Sequence, residues 1–238
     1  MFVLVIGPAA AGKTSIAKHL SKYGILINLD AATPCNDADV DIREWVKVEE
    51  IQEKFNLGIN GALLKSMELI VSMDEWICAD KNEIKIVDTP GQLEIFLYHN
   101  HGRKIVEKLE KHDVVASLFI VDAQEILSIE NYLAMLAQNA MINLKLMIPS
   151  VTAINKVDLV DRENLMKYVD KKYLEKKLEK GDALHSLAKS LIKYLEYTSI
   201  LQRPLLVSAK TGEGIEDLYS APINAAFSFR NLSFRAAK

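Results

Sequence analysis

The residues best placed to do chemistry stand directly behind the first apolar run of the chain. Residues 7–14 read GPAAAGKT and match G-x-x-x-x-G-K-[ST], a pattern typical of phosphate-binding loops between a strand and a helix. Glycines let the main chain curl until several N–H groups face one anion. The helix that opens near Lys13 adds its positive end. The motif therefore predicts a cradle for the phosphates of a nucleotide.

Two side chains of this loop have specific chemistry. Lys13 is placed to reach the β- and γ-phosphates, and the Thr14 hydroxyl is placed to ligate Mg²⁺. The alternative is a glycine-containing turn with a surface lysine, which the apolar run before it and the helical pattern after it disfavour. The predicted phosphate-binding residues are Gly7, Ala10, Ala11, Gly12, Lys13, Thr14 and Ser15.

A second motif, DTPG at residues 88–91, follows another short apolar run. A lone D-x-x-G is expected about once by chance in a chain of this length, so its value lies in its position. An aspartate at the tip of a buried strand can hold Mg²⁺, directly or through water, and we predict this role for Asp88. Gly91 leaves its N–H free to sense a γ-phosphate, which would make a switch that hydrolysis releases.

A third motif, NKVD at residues 155–158, predicts a base-recognition loop. The Asp158 carboxylate can accept hydrogen bonds from guanine N1–H and the N2 amine together, whereas adenine would leave it unpaired. Lys156 would lie along the face of the base. An Asn/Asp turn after a strand is the alternative. The base contacts predicted here and in the SAK sequence that follows the last strand are Asn155, Lys156, Asp158, Ser208, Ala209 and Lys210.

These motifs need a sheet that brings strand ends together. Apolar runs without strict alternation, typical of strands buried on both faces of a parallel sheet, occur at 2–6, 25–29, 84–87, 114–121, 150–154 and 204–207. Helical patterns lie between them at 13–23, 48–55, 62–77, 94–108, 130–143 and from 214 onward. This rhythm predicts an α/β fold with a doubly wound, mostly parallel sheet and ligands at the carboxyl ends of its strands.

Two stretches exceed what a minimal fold of this kind needs. Residues 41–81 predict a helix-loop-helix insertion centred on the loop at 58–60. Residues 162–201 form a charged amphipathic segment. Its simplest interpretation is a solvated helical face, and the alternative is a lid or docking element beside the nucleotide.

Composition limits the functional classes. The 238 residues are half apolar and 26% charged, with a net charge of −3, which predicts a single domain spanning 1–238 and gives no electrostatic case for nucleic-acid or anionic membrane binding. Two cysteines without metal-ligand spacing suit a reducing cytosol. No apolar run approaches the roughly 18 residues of a membrane span. We therefore expect a cytoplasmic protein.

Taken together, the motifs resemble those of the GPN-loop GTPases, P-loop GTPases of which this chain looks like an archaeal type. The resemblance rests on NLD at 28–30, DIRE at 41–44, GINGA at 58–62 and DTPGQLE at 88–94, with the base motifs above. These follow one another in the expected order along nearly the whole chain. One departure is that the Gly-Pro-Asn motif reads Gly58-Ile59-Asn60. Proline stiffens a loop, so Ile59 changes its expected rigidity.

The resemblance implies a homodimer in which the 58–60 loop of one subunit reaches the nucleotide of the other. It implies that Asn60 contacts the γ-phosphate region or the attacking water, and that Asp30, Gln92 and Glu94 surround Mg²⁺ and that water. Other interpretations remain for two of these: Glu94 also suits the first turn of a helix, and Asn60 also suits a turn before glycine. The set Thr14, Asp30 and Asp88 is the predicted metal site.

The main functional hypothesis is a dimeric enzyme that binds GTP and GDP, hydrolyses GTP with Mg²⁺ and acts as a timer in assembly or chaperone-like work. By resemblance only, a protein client in RNA polymerase assembly is implied. One alternative is a nucleotide-gated binding module with negligible turnover, and another is a P-loop kinase with a small acceptor. A nickel-delivery GTPase would need a Cys/His site near the P-loop, and the five histidines show no such grouping with cysteine.

Overall fold

One parallel sheet of seven strands runs through the part of the protein that the structure describes. The computed structural model describes residues 1–77, 83–170, 173–174, 176, 186–191, 193 and 204–236, with side chains as far as residue 226. Its strands are β1 (Phe2–Ile6), β2 (Gly24–Asn28), β3 (Val40–Asp41), β4 (Ile84–Asp88), β5 (Val115–Asp122), β6 (Ser150–Asn155) and β7 (Leu205–Leu206). They lie in the order β3-β2-β4-β1-β5-β6-β7, and every neighbouring pair is parallel.

Helices connect and cover these strands. Those described are α1 (Lys13–Leu20), α2 (Val48–Phe55), α3 (Ile59–Ser72), α4 (Leu93–Tyr98), α5 (His101–Glu110), α6 (Ile129–Leu146), α7 (Arg162–Val169) and α8 (Ile215–Ala236). Among the described helices, α6 and α7 begin at side-chain caps. The Ser128 hydroxyl accepts from the Asn131 N–H at the start of α6, and Asp161 accepts from two N–H groups of α7. Each such cap satisfies donors that the first helical turn leaves open.

Two apolar clusters cover the two faces of the sheet, and β1 divides its side chains between them. Phe2, Leu4 and Ile6 join one cluster with residues of α3, α5 and α6. Val3 and Val5 join the other with residues of α1 and α8. All five residues of β1 are buried, as expected for a strand with helices on both sides. The predicted doubly wound parallel sheet is confirmed.

The strand order explains how distant motifs meet. From central β1 the chain moves outward to β2 and β3, returns with β4 beside β1, and then continues through β5, β6 and β7 on the other side. Because all strands are parallel, the carboxyl ends of β1, β2, β4, β5 and β6 lie along the same edge of the sheet. Ligands of doubly wound sheets bind at this edge. The phosphate-binding loop, the DTPG motif and the NKVD motif stand at the ends of β1, β4 and β6.

The structure differs from the sequence prediction in three elements. The helix predicted at 94–108 is interrupted after Tyr98, because Asn100 adopts a left-handed φ of 59°. A Cβ at Gly102 would lie 2.5 Å from the Phe96 carbonyl oxygen, so this turn is too tight for a side chain there. The second helix of the first insertion, α3, runs from Ile59 to Ser72 instead of from residue 62 to residue 77. The two-residue strand β3 was not predicted.

The two predicted insertions are described to different extents. In the first, α2 and α3 pack against each other, and residues 78–82, including Cys78, lie outside the described residues. In the second, α7 is described, whereas most of residues 171–201 are not. Across the described part of the chain, no helix combines the length and apolar character needed to cross a membrane.

Candidate nucleotide-binding site

The loop after β1 has the backbone geometry of an anion cradle. Ala10 and Gly12 take positive φ angles of 61° and 91°, and such left-handed residues turn successive N–H groups to one side. A Cβ added to Gly7 would lie 2.2 Å from the Ile120 carbonyl oxygen, and one added to Gly12 would lie 2.3 Å from the Asn155 amide nitrogen. Glycine is therefore required at both ends of the loop. Gly12 is also the N-cap residue of α1.

Lys13 lies folded back over the loop. Its ammonium donates to the carbonyl oxygens of Gly7 at 2.9 Å, Pro8 at 2.8 Å and Gly91 at 3.3 Å, and the residue is only 6% exposed. Burial lowers the pKa of Lys13, and the nearby carboxylates, chiefly that of Asp88, oppose this shift. The ammonium therefore lies between the two loops predicted to hold the phosphates.

Asp88 ends β4 beside Lys13 and Thr14, with Val5 of β1 and Asn28 of β2 as its register partners. Its Oδ1 atom is buried and has no hydrogen-bond partner. Burial raises the pKa of the Asp88 carboxyl to about 6, although the Thr14 hydrogen bond and the charge of Lys13 lower it. Such an oxygen, next to a threonine hydroxyl, fits the outer coordination of Mg²⁺, which prefers oxygen ligands and retains several waters.

The DTPG loop is anchored at its second residue. The Thr89 hydroxyl donates to the Val5 carbonyl oxygen at 2.8 Å, which ties the loop to the end of β1. In the same loop, the Gly91 carbonyl oxygen accepts a hydrogen bond from the Lys13 ammonium. The Gly91 Cα lies near the Asp30 carboxylate, because a Cβ added to it would lie 3.9 Å from Asp30 Oδ2. The structure thus brings Asp30, Asp88, Gly91 and the phosphate-binding loop together at one edge.

A polar network fixes the loop that carries Asp30. Buried Asn28 accepts from the Asp30 N–H at 3.0 Å and donates to the Asp41 carboxylate at 2.9 Å. Arg43 donates to the Ala31 carbonyl oxygen at 2.7 Å and pairs with Glu49 of α2. The motif residues 28 and 41 therefore hold Asp30 in place, a role that their spacing in the sequence does not reveal.

The base motifs form one cavity of about 310 Å³ beside the loop. The Asn155 amide donates to the Ala11 carbonyl oxygen at 2.9 Å and accepts from the Ala209 N–H at 3.0 Å. The exposed Asp158 accepts from the Ser208 hydroxyl at 2.6 Å, so its second oxygen can face a base. The residues that line the cavity are Gly12, Ser15, Asn155, Lys156, Asp158, Leu159, Ala209 and Lys210.

Three predicted catalytic residues are exposed. Gln92 is the N-cap residue of α4, and Glu94 lies in the first turn of that helix. Glu94 is close enough to influence the Lys13 charge, which places it at the phosphate side. Asn60 lies in the first turn of α3, and the preceding Ile59 is 51% exposed. Among the described residues no hydrogen bond joins Asn60 to the phosphate-binding loop of its own subunit, so its predicted contact with the nucleotide stays a prediction.

Two polar residues of the site were missed in the sequence. Asp122 ends β5 and binds the Lys156 ammonium at 2.6 Å, and the His19 ring nitrogen Nε2 donates to the Ala209 carbonyl oxygen at 2.6 Å. The signal for Asp122 was available, because it is a polar residue at the carboxyl end of a buried strand, like Asp88. His19 has no comparable signal, since its partner is a main-chain atom 190 residues away.

The fold and the site define a P-loop nucleotide-binding protein with a separate base-recognition loop, the arrangement of a G domain. Comparison with known proteins narrows this class. A family model described as "Conserved hypothetical ATP binding protein" matches residues 5–227. A GPN-loop GTPase of Pyrococcus abyssi is 31% identical over 92% of this chain and 94% of its own. The chain therefore belongs to the GPN-loop GTPase family.

Other comparisons agree with this assignment. A GPN-loop GTPase of Arabidopsis thaliana is 29% identical over 91% of this chain, which spans 62% of the longer plant protein. The crystal structure of a GTPase from Pyrococcus abyssi in its apo form superimposes with a TM-score of 0.77 at 27% identity, covering 94% of this chain and 97% of that one.

In the part of the chain that the structure describes, no group of three or more His, Cys, Asp or Glu side chains is arranged to hold a metal ion.

Proposed function

We propose that this GPN-loop GTPase hydrolyses GTP to GDP and phosphate at the edge of the sheet formed by β1, β2 and β4. The observation that carries the proposal is the double hydrogen bond of Asn155, which fastens the base cavity to Ala11 of the phosphate-binding loop. One nucleotide can therefore place its base beside Asp158 and its phosphates over Lys13. A phosphate site alone would need no such connection.

Guanine is the base that this cavity favours. The Asp158 carboxylate is held by Ser208 through one oxygen, and two donors on one edge of guanine can bind it together. Adenine has an acceptor at N1 and no amine at C2, so it would leave a carboxylate facing an acceptor, at a cost of a few kcal/mol. The description of the matching family model names ATP. The chemistry of Asp158 supports GTP instead.

The phosphates would meet the residues that surround Lys13. When bound, Mg²⁺ would neutralise charge on the β- and γ-phosphate oxygens, and Thr14 and Asp88, with Asp30 nearby, are the residues that would hold it. Lys13 would exchange its carbonyl partners for phosphate oxygens. Gln92 would orient the attacking water through its amide, and Asp30 or Glu94 would polarise that water. Phosphoryl transfer needs mainly such positioning and charge neutralisation.

We also propose that the active form is a homodimer in which Asn60 acts on the nucleotide of the partner subunit. The exposure of Asn60, Ile59 and the nearby Phe55 supports this arrangement, because apolar side chains at 51% and 43% exposure suit an interface. Hydrolysis would release contacts to the γ-phosphate and thereby change the dimer. A timer of this kind suits assembly or chaperone-like work, and a cytoplasmic location is consistent with it.

The test of base recognition is the substitution Asp158→Asn. We expect GTP binding to weaken roughly a hundredfold and binding of xanthosine triphosphate to appear, because the new amide N–H can donate to the carbonyl at C2. Isothermal titration calorimetry with GTP, ATP and xanthosine triphosphate measures both changes.

The matched control for this substitution is Asp161→Asn. It makes the same chemical change three residues later, at an exposed helix cap where asparagine serves as well as aspartate. The Kd of the Asp161→Asn protein for GTP should stay within about twofold of the Kd of the parent protein. Full-strength GTP binding by the Asp158→Asn protein, or equal uptake of ATP and GTP by the parent, would contradict the proposed function.

A further inference from the structure

Asp122 is a nearly buried acid whose partner belongs to the base cavity. It is 8% exposed, ends β5, and stands opposite Asn155 in the strand register. Its Oδ2 atom accepts from the Lys156 ammonium at 2.6 Å, and its Oδ1 atom accepts from the Gln124 N–H at 2.9 Å. One carboxylate thus caps a short turn and holds a lysine that lines the cavity.

The lysine side of this pair is constrained as well. Lys156 takes a left-handed φ of 65°, a conformation that is strained for a residue with a Cβ atom. From this backbone, the four-carbon stem runs along the cavity to the ammonium on Asp122. A free lysine side chain has many rotamers, and holding it in one of them costs side-chain entropy. The ion pair meets that cost before any ligand arrives.

We propose that Asp122 is a positioning residue for base recognition, which holds the Lys156 stem flat against the face of the bound guanine. Asp122 itself would not touch the nucleotide. Its carboxylate fixes the far end of Lys156, so that the apolar stem forms a preformed wall for the base. The proposal rests on the assignment of guanine to this cavity, and its test keeps the two ideas apart.

The substitution Asp122→Asn separates positioning from ordinary electrostatics. It keeps the size of the side chain and the cap on Gln124, because asparagine caps as well as aspartate, and it removes the charge that holds Lys156. Loss of a negative charge near the site would by itself attract an anionic nucleotide more strongly. Weaker nucleotide binding would therefore report the lost position of Lys156, since the change in net charge predicts the opposite sign.

The experiment compares ligands with and without a base. We expect the Kd for GDP to rise roughly tenfold in the Asp122→Asn protein, because Lys156 must then be ordered on binding. The Kd for inorganic tripolyphosphate should stay within about twofold, since it has no base. At saturating GTP, kcat should hold while KM rises. In a Lys156→Met background, Asp122→Asn should add no further loss, because the group on which it acts is already gone.

The matched control is Glu125→Gln, which removes one charge from an exposed position of the same turn and should leave the Kd for GDP unchanged. If the Asp122→Asn protein does not fold, Asp122→Ser carries the same test, since serine also caps. An unchanged Kd for GDP, an equal loss for tripolyphosphate, or additive losses in the double variant would overturn the proposal. The parent protein's preference for GDP over ADP, measured first, tests the guanine assignment separately.

Discussion

Asp88→Asn should stabilise the nucleotide-free protein at neutral pH while it strongly slows GTP hydrolysis. Burial raises the pKa of Asp88 from 3.8 to about 6 in the folded protein. Between these two values the folded chain binds more protons than the unfolded chain, so stability falls as the pH rises. Above pH 6 the folded protein carries the full cost of a buried, ionised carboxylate with one unpartnered oxygen. Asparagine has no such charge to bury.

The magnitude follows from the shift. A change of about two pKa units corresponds to about 3 kcal/mol above pH 7 and to about half of that at pH 5. The new amide must find partners in place of the hydrogen bond that the carboxylate accepts from Thr14, and we expect this replacement to cost the variant about 1 kcal/mol of stability. The variant should therefore be more stable by about 2 kcal/mol near pH 8 and by less than about 1 kcal/mol near pH 5.

Urea unfolding of the nucleotide-free proteins measures this difference, with the fluorescence of buried Trp76 as the probe. The control is Glu53→Gln, an exposed carboxylate on α2, whose effect should be small at both pH values. With Mg²⁺ and a non-hydrolysable GTP analogue, the parent protein should gain stability and the Asp88→Asn protein should gain less. Its kcat for GTP should fall at least about a hundredfold. A parent protein that is equally or more stable near pH 8 would refute the reasoning.

Two further predictions concern the 58–60 loop. If Asn60 acts across a dimer, the hydrolysis rate per subunit should fall when the protein is diluted below the dissociation constant of the dimer. Asn60→Ala should then lower kcat and leave the Kd for GDP unchanged. A rate per subunit that does not depend on protein concentration would exclude the role in trans, and turnover that is insensitive to both Asn60→Ala and Gln92→Ala would favour a binding module. Ile59→Pro should raise the free energy of unfolding, measured in urea, by about 0.5 kcal/mol. A decrease in the free energy of unfolding of more than about 1 kcal/mol would show that the loop needs the isoleucine side chain or its N–H.

The fold and the positions of the chemical motifs could be predicted because they depend on local rules. Buried apolar runs predict parallel strands, and their carboxyl ends share an edge whatever the details of packing. Asp88, Asn155 and the phosphate-binding glycines each follow such a run directly. Their meeting at one site therefore required only that the sheet be parallel. The glycines were predictable from the motif alone, and the structure adds the physical reason, since the Ile120 carbonyl and the Asn155 amide leave no space for a Cβ.

Other features depend on contacts between segments that lie far apart in the sequence. The break between α4 and α5 arises where Gly102 packs on the Phe96 carbonyl and Asn100 turns left-handed, whereas the hydrophobic period continues through it. The network from Asn28 through Asp41 to Arg43 joins polar residues that also suit a solvated acidic loop. Short β3 exists because Val40 and Asp41 pair in parallel with Ile27 and Asn28 of β2, and a strand of two residues shows no periodicity in the sequence.

The structure shows how the isoleucine in the Gly58-Ile59-Asn60 loop, which replaces the proline of Gly-Pro-Asn, affects the rigidity of this loop. Gly58 has φ −67° and ψ 167° and serves as the N-cap residue of α3, which is the extended conformation that a residue before proline adopts. Ile59 is the first helical residue, where proline fits without loss of a hydrogen bond. The backbone thus already has the shape that proline would impose. Compared with proline, Ile59 lacks only the restriction on the unfolded chain, and it adds a half-exposed apolar side chain beside Asn60. For this reason we expect Ile59→Pro to leave the backbone position of Asn60 unchanged and to alter the stability and the contacts of the loop.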